Sequence, residues 1–235
     1  MTTNPAATPV PVEDVQGDRR WMDLHEHYVR EAHEKEPEVL FVGDSLILQL
    51  TQTQIWKEKF EPMHCLNFGC GGDATQHVLW RLQNGELKNI APKVVVFLAG
   101  TNNHGHTAEQ VAGGIEACVR TIVQQQPQAK VLVLTIPPRG HQPNPLRVKN
   151  EEVNRSVSTL LESFPSVQLV DVCQGLLQSD GTINHNDMYD YLHLTSSGYA
   201  KFCEPLYCAL AEILKMQDAT ALAMDAADNL VETPD

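Results

Sequence analysis

Basic residues are missing from both ends of this chain, and no basic cluster occurs between them. Residues 1–16 and 216–235 contain no Lys or Arg but hold seven acidic residues. Over all 235 residues, 30 acids face 17 bases for a formal charge of −13; without the ends, 23 acids face 17 bases, a balance of −6. A net-negative body without a basic run excludes bulk electrostatic attraction to a nucleic-acid backbone or an anionic membrane. It leaves neutral and zwitterionic headgroups open.

Other absences narrow the field further. The first fifteen residues show neither a basic n-region nor an apolar h-region, so no secretory signal is expected. The longest apolar runs, 94–100 and 131–138, are too short to span a bilayer. Six cysteines are scattered without a C-x-x-C pair, which points to reduced thiols and away from zinc. His104-Gly105-His106 has only Glu109 as a nearby carboxylate, so it reads as a polar loop and not as a metal site. No G-x-S-x-G occurs, which removes the nucleophile elbow of the α/β-hydrolases. The glycine-rich Gly69-Cys70-Gly71-Gly72-Asp73 lacks the G-x-G-x-x-G frame of a dinucleotide site.

What is present is an alternation of short apolar runs and helical periodicities. The runs are 39–42, 64–68, 94–99, 131–136 and 167–172; the third and fourth are nearly continuous in Val, Leu and Ile, as strands buried on both faces require. Thr107 and Gln110 form a capping box before Val111, Ile115, Cys118, Val119 and Ile122. Asn144-Pro145 reads as N-cap and first helical residue. Amphipathic helices are also expected over 21–33 and from about 195 to 214. The fold class is therefore α/β, a flavodoxin-like three-layer sandwich with a five-stranded parallel sheet in the order 2-1-3-4-5. The expected organisation is a flexible N-terminal arm over 1–15, one domain over 16–215 and an acidic, disordered tail over 216–235.

In such a sheet, chemistry belongs at the carboxyl ends of the strands. The first strand ends in Gly43-Asp44-Ser45-Leu46, where Ser45 is either an N-cap or a nucleophile. The second ends in the Gly69–Asp73 loop, which serves equally as a tight turn or as a set of exposed N–H donors. The third ends in Gly100-Thr101-Asn102-Asn103-His104, whose amides could close a loop or donate to an oxyanion. Before the last helix, Asp190 and His193 are three residues apart, close enough for a carboxylate to orient an imidazole. Taken together, serine, glycine, asparagine and histidine-with-aspartate supply a nucleophile, oxyanion donors and an oriented base.

That order resembles the GDSL or SGNH hydrolases, over roughly residues 12–214. Longer strings resemble one branch of them, the catalytic alpha subunits of the brain-type intracellular platelet-activating factor acetylhydrolases. These strings are His77-Val-Leu-Trp-Arg81, Gly100-Thr-Asn-Asn-His104, Pro143-Asn-Pro-Leu-Arg147 and His185-Asn-Asp-Met-Tyr-Asp190-Tyr-Leu-His-Leu194. The resemblance implies Ser45 as nucleophile, His193 as general base and then acid, and Asp190 as its orienter. It implies an oxyanion hole of Ser45 N–H, Gly72 N–H and the Asn102 amide, and an acyl pocket of Leu46, Thr101 and Leu192. The implied reaction removes the sn-2 acetyl group of platelet-activating factor through an acetyl-serine, without metal or cofactor. The implied partners are a homo- or heterodimeric paralogous alpha subunit and the WD-repeat lissencephaly-associated protein, in the cytoplasm. Three positions depart from that branch: Leu98 in place of Trp, Cys70 in place of Ile, and Thr135-Ile-Pro-Pro before Arg139. A carbohydrate deacetylase on the same scaffold, and a scaffold protein that keeps its site by inheritance, are the alternatives.

Overall fold

The computed structural model describes residues 3–231. Five strands, β1 (Val39–Gly43), β2 (Cys65–Gly69), β3 (Val94–Leu98), β4 (Lys130–Leu134) and β5 (Val167–Val170), form one sheet in the order β2-β1-β3-β4-β5. Every pairing is parallel. β1 and β3 are buried along their whole length, which is why their sequences, VLFVG and VVVFL, carry no polar alternation. The order is the one read from the sequence, and each strand lies within two residues of its expected start and end.

Helices α1 (Arg20–Glu34), α2 (Ser45–Leu50), α3 (Thr75–Arg81), α4 (Ala108–Gln125), α5 (Pro145–Leu161) and α6 (Ser196–Val231) complete the chain. The caps behave as their chemistry dictates. Thr107 Oγ1 accepts from Gln110 N–H at 3.2 Å while Gln110 Oε1 accepts from Thr107 N–H at 3.0 Å. Asn144 Oδ1 accepts from Leu146 and Arg147 N–H at the start of α5.

The N-terminal segment differs from expectation. Residues 4–10 are not a free arm. Asn4 donates to the Gln110 carbonyl at 2.9 Å, Ala6 is fully buried, and its carbonyl accepts from Thr75 Oγ1 at 2.7 Å. A Cβ on Gly114 would lie 2.5 Å from the Ala6 carbonyl oxygen, so α4 is notched by a glycine where this strap crosses it. Apolar periodicity could not announce a contact made by one alanine and one asparagine. At the other end, the backbone of α6 is helical to Val231, through most of the stretch read as a disordered tail; 232–235 lie outside the described residues.

Strand and helix approach most closely at the ends of β1 and β2. A Cβ on Gly69 would stand 2.3 Å from Leu48 N and 2.7 Å from Leu48 Cα, backbone atoms of α2 that cannot swing aside. Gly69→Ala should therefore cost about 1–3 kcal/mol of stability through overpacking, measured as a lower urea midpoint with unchanged m.

Candidate active site

Ser45 is separated from the end of β1 by one residue and opens α2, but it does not cap that helix. The cap is Asp44, whose Oδ1 accepts from Leu46 N–H at 3.0 Å. Ser45 Oγ is thus left free to turn elsewhere, and it lies 3.0 Å from His193 Nε2. His193 Nδ1 lies 2.7 Å from Asp190 Oδ2, and Asp190 Oδ1 accepts from the N–H groups of Leu192 and His193. Partial burial would raise the Asp190 carboxyl, but the hydrogen bonds from the His193 ring, His193 N–H and Leu192 N–H outweigh it and hold the pKa below the usual carboxylate range. An ionised carboxylate only accepts, so Nδ1 carries the ring proton and Nε2 of the neutral ring presents its lone pair to the serine hydroxyl. The Tyr189 ring lies nearly parallel to that of His193, with centroids 5.9 Å apart, and is 48% exposed.

The three expected donors, Ser45, Gly72 and Asn102, lie in the segments that follow β1, β2 and β3. As first residue of α2, Ser45 has no preceding helical carbonyl for its N–H. Gly72 is exposed and has φ +82°, a left-handed conformation that suits glycine in a turn closed by Asp73 N–H to the Cys70 carbonyl. Asn102 Nδ2 donates to the Asp73 carbonyl at 3.0 Å, which uses one of the two N–H groups of the amide. Its neighbour Asn103 does a different job. Buried, it accepts from Thr75 N–H and donates to Thr75 Oγ1 and Gln76 Oε1, stapling the loop after β3 to the start of α3. Asn103 is thus a loop staple, while Asn102, the one the resemblance implies as a donor, makes a single hydrogen bond through its amide nitrogen among the described residues.

The third set of expected residues is only partly brought to a surface. Leu46 is 1% exposed, its carbonyl accepting from Tyr199 Oη at 2.7 Å, and Thr101 is 5% exposed. Leu192 is half-buried and borders a cavity with Asp190 and Arg139. Of the departures, Leu98 and Cys70 are both buried, and burial pushes the Cys70 thiol up to about 12. His106 Nδ1 is 3.2 Å from Asn103 Nδ2, and among the described residues no group of three or more His, Cys, Asp or Glu side chains is placed to hold a metal. All six cysteines are free thiols.

Several residues that the sequence did not single out support the site. Arg81 is fully buried. Its Nε donates to Asp73 Oδ2 at 2.7 Å, Nη1 to Glu86 Oε2 and to the Phe68 carbonyl, and Nη2 to the Gly43 carbonyl. Burial works against the guanidinium charge, but Glu86 and Asp73 outweigh it and raise the pKa. Asp73 also accepts from Trp21 Nε1 at 2.7 Å, and Glu86 Oε1 lies 2.9 Å from His25 Nδ1. Arg139 Nη1 donates to the Thr101 carbonyl and Oγ1, bracing the loop after β3. The glycine loop, β1, β2 and α1 are thus all held to one cation.

A family model for the GDSL-like lipase/acylhydrolases matches residues 41–201. This chain belongs to that family. It is accordingly an ester hydrolase. The chain is 56% identical over 211 residues to the human platelet-activating factor acetylhydrolase IB subunit alpha1, covering 90% of this chain and 91% of the relative. It is 57% identical over 213 residues to the Gallus gallus subunit alpha2, covering 91% and 93%. It is thus about equally similar to both subunit types. Among solved structures, a GDSL-like lipase from Bacteroides thetaiotaomicron superposes with TM-score 0.69 at 17% identity, covering 80% of this chain and 97% of that one. Est24, a carbohydrate acetylesterase from Sinorhizobium meliloti, gives 0.59 at 18% identity, covering 76% and 100%. At these identities the two structures bear on the fold alone.

Asp44 has a cost that a titration exposes. Its carboxyl is wholly buried, and Oδ2 has no hydrogen-bond partner among the described residues. Burial, above all, pushes its pKa from 3.8 up to about 7, with Asp73 adding to the rise and Leu46 N–H and Arg139 opposing it. A carboxyl raised on folding favours the folded state below its unfolded value, and that contribution is lost as pH climbs toward 7. Asn in its place keeps the cap acceptor and does not titrate. Denaturant midpoints of wild type relative to Asp44→Asn should therefore fall between about pH 4 and pH 7 and stay level below pH 4.

Proposed function

We propose that this esterase uses Ser45 as nucleophile to remove a short acyl group, acetyl above all, from a lipid of the platelet-activating factor type. The observation that carries the reading is the unbroken relay of Ser45 Oγ, His193 and Asp190 at 3.0 Å and 2.7 Å. His193 Nε2 takes the serine proton as Oγ attacks the ester carbonyl. Ser45 N–H, Gly72 N–H and the free N–H of Asn102 receive the developing oxyanion. The intermediate collapses, His193 returns the proton to the departing alcohol oxygen, and an acetyl-serine remains. Water, deprotonated by the same imidazole, then releases acetate and restores Ser45. In this reading Leu46, Thr101 and Leu192 wall the acyl side, where a steric wall excludes long chains that hydrophobic discrimination would only disfavour.

The substrate assignment is supported by relatives at 56–57% identity that carry platelet-activating factor acetylhydrolase in their names. Those relatives are named as subunits, which supports pairing with a second copy or with a paralogous alpha subunit, and with it association with the WD-repeat lissencephaly-associated protein. Six free thiols suit the reducing cytoplasm. No described helix is long and apolar enough to cross a membrane.

Ser45→Ala should abolish turnover of acetyl esters and labelling by a fluorophosphonate probe. Asn102→Ala should lower kcat by roughly 100- to 1000-fold with the fold intact by circular dichroism. Wild-type turnover in Ser45→Ala would overturn the assignment. Faster release of acetate from an acetylated xylan than from an acetylated glycerolipid would favour the carbohydrate reading instead.

A further inference from the structure

Among the described residues, four that are not glycine adopt a positive φ: Arg19, His64, Asn89 and Tyr191. Arg19 and His64 sit at the ends of helical segments, and asparagine is a residue type that enters this region readily. Tyr191 is different. Its φ of +61° is an outlier for a bulky side chain, and it lies in the short step from Asp190 to His193. A conformation of this kind persists only where the surrounding structure over-determines it.

The surroundings of Tyr191 meet that condition. Its carbonyl accepts from Gly140 N–H at 2.7 Å, and its own N–H donates to the Met188 carbonyl at 3.2 Å. Its ring meets the His141 ring at a centroid distance of 4.8 Å and the His185 ring at 5.9 Å. Gly140 and His141 belong to the segment after β4, which is itself held in place. The buried Arg147 donates to the Gly140 and Gly181 carbonyls, and the His141 carbonyl accepts from Ile183 N–H at 3.0 Å. The turn is closed at its base, where Tyr189 N–H donates to the His193 carbonyl and Met188 forms an antiparallel bridge with Leu194. Reversal of the chain at Tyr191 brings the N–H groups of Leu192 and His193 onto Asp190 Oδ1 and leaves Oδ2 for the imidazole. The Asp190 side chain is 43% exposed, so burial alone does not fix it.

We infer that Tyr191 is a positioning residue: clamped by the segment after β4, it holds the reversed turn in which Asp190 orients His193. The inference rests on the reading of Ser45, His193 and Asp190 given above. The proposed chemistry assigns no step to the tyrosine itself. What it contributes is geometry, and a small displacement of a relay group is enough to slow the reaction. Because the relay acts in the transition state and not in ground-state binding, the effect falls on kcat and spares KM.

The test compares purified full-length variants in turnover of a soluble acetyl ester, p-nitrophenyl acetate. Proton spectra are recorded in the far-downfield region, where an imidazole N–H bonded to a carboxylate resonates. Tyr191→Phe, which keeps the ring, should keep most of the activity. Tyr191→Ala should lower kcat by about 10- to 100-fold with KM little changed, and the downfield Nδ1 proton of His193 should broaden or vanish. Tyr191→Gly adopts a positive φ freely and should lose less than Tyr191→Ala, the reverse of the order expected if the ring only filled space. The double variant His141→Ala/His185→Ala, at two exposed positions outside the relay, should lower kcat in the same direction with an unchanged circular dichroism spectrum. It tests the clamp even if Tyr191→Ala fails to fold. Wild-type kcat in Tyr191→Ala or in the double variant, a greater loss in Tyr191→Gly than in Tyr191→Ala, or a downfield proton that persists while kcat falls, overturns the inference. If Asp190→Ala retained wild-type kcat, the relay reading would fail on its own, whatever the Tyr191 variants did.

Discussion

The ion pair between Arg81 and Asp73 is the interaction on which the rest of the site depends. Removing one partner of a buried pair leaves an uncompensated charge and costs about 3–5 kcal/mol, although an apolar replacement of both can be neutral. The pair therefore does little for net stability, and what it supplies is position. A guanidinium offers five donors in a rigid plane, and here they reach the carbonyl of Gly43 at the end of β1, that of Phe68 near the end of β2, Asp73 beside the glycine loop and Glu86 beyond α3. A lysine carries one point of charge and could not join four segments in this way. Strand ends that would otherwise be set only by side-chain packing are referred to a single planar group.

The same logic runs outward from the glycine loop. The Asp73 carbonyl holds the Asn102 amide, and the Asp73 carboxylate holds the Trp21 indole. One residue therefore links the loop after β3 to the indole of α1. Two consecutive asparagines at the end of β3 serve this arrangement differently, because Asn103 is consumed by Thr75 and Gln76 while Asn102 keeps an N–H in reserve.

The sheet was legible because its central strands are buried on both faces, and VVVFL leaves little else for such a stretch to be. Ser45, Asp190 and His193 were legible because each lies at a strand end or just before a helix, where this architecture puts chemistry. What stayed hidden depends on distance. Arg81 has its acceptors at separations of 5, 8, 13 and 38 residues, and no local pattern announces such a set. Asp44 and Ser45 are both good capping residues, so composition could not say which one caps. The N-terminal strap was misread as free because a Pro- and Ala-rich stretch lacks periodicity, yet one buried alanine over a glycine notch holds it down.

That strap bears on how much of the chain constitutes the working unit. The segment matched by the family model begins at Phe41, after α1 has ended. Trp21 and His25, which close the network around Arg81, and Asn4 and Ala6, which seal the groove between α3 and α4, all precede it. A protein trimmed to the shared block would lose the Trp21 and His25 partners of Asp73 and Glu86 and expose these two carboxylates to water on one side. Gene fragments, fusion junctions and split-protein designs therefore have to begin upstream of Asn4, and a bulky tag placed flush against that residue would compete with the notch it occupies.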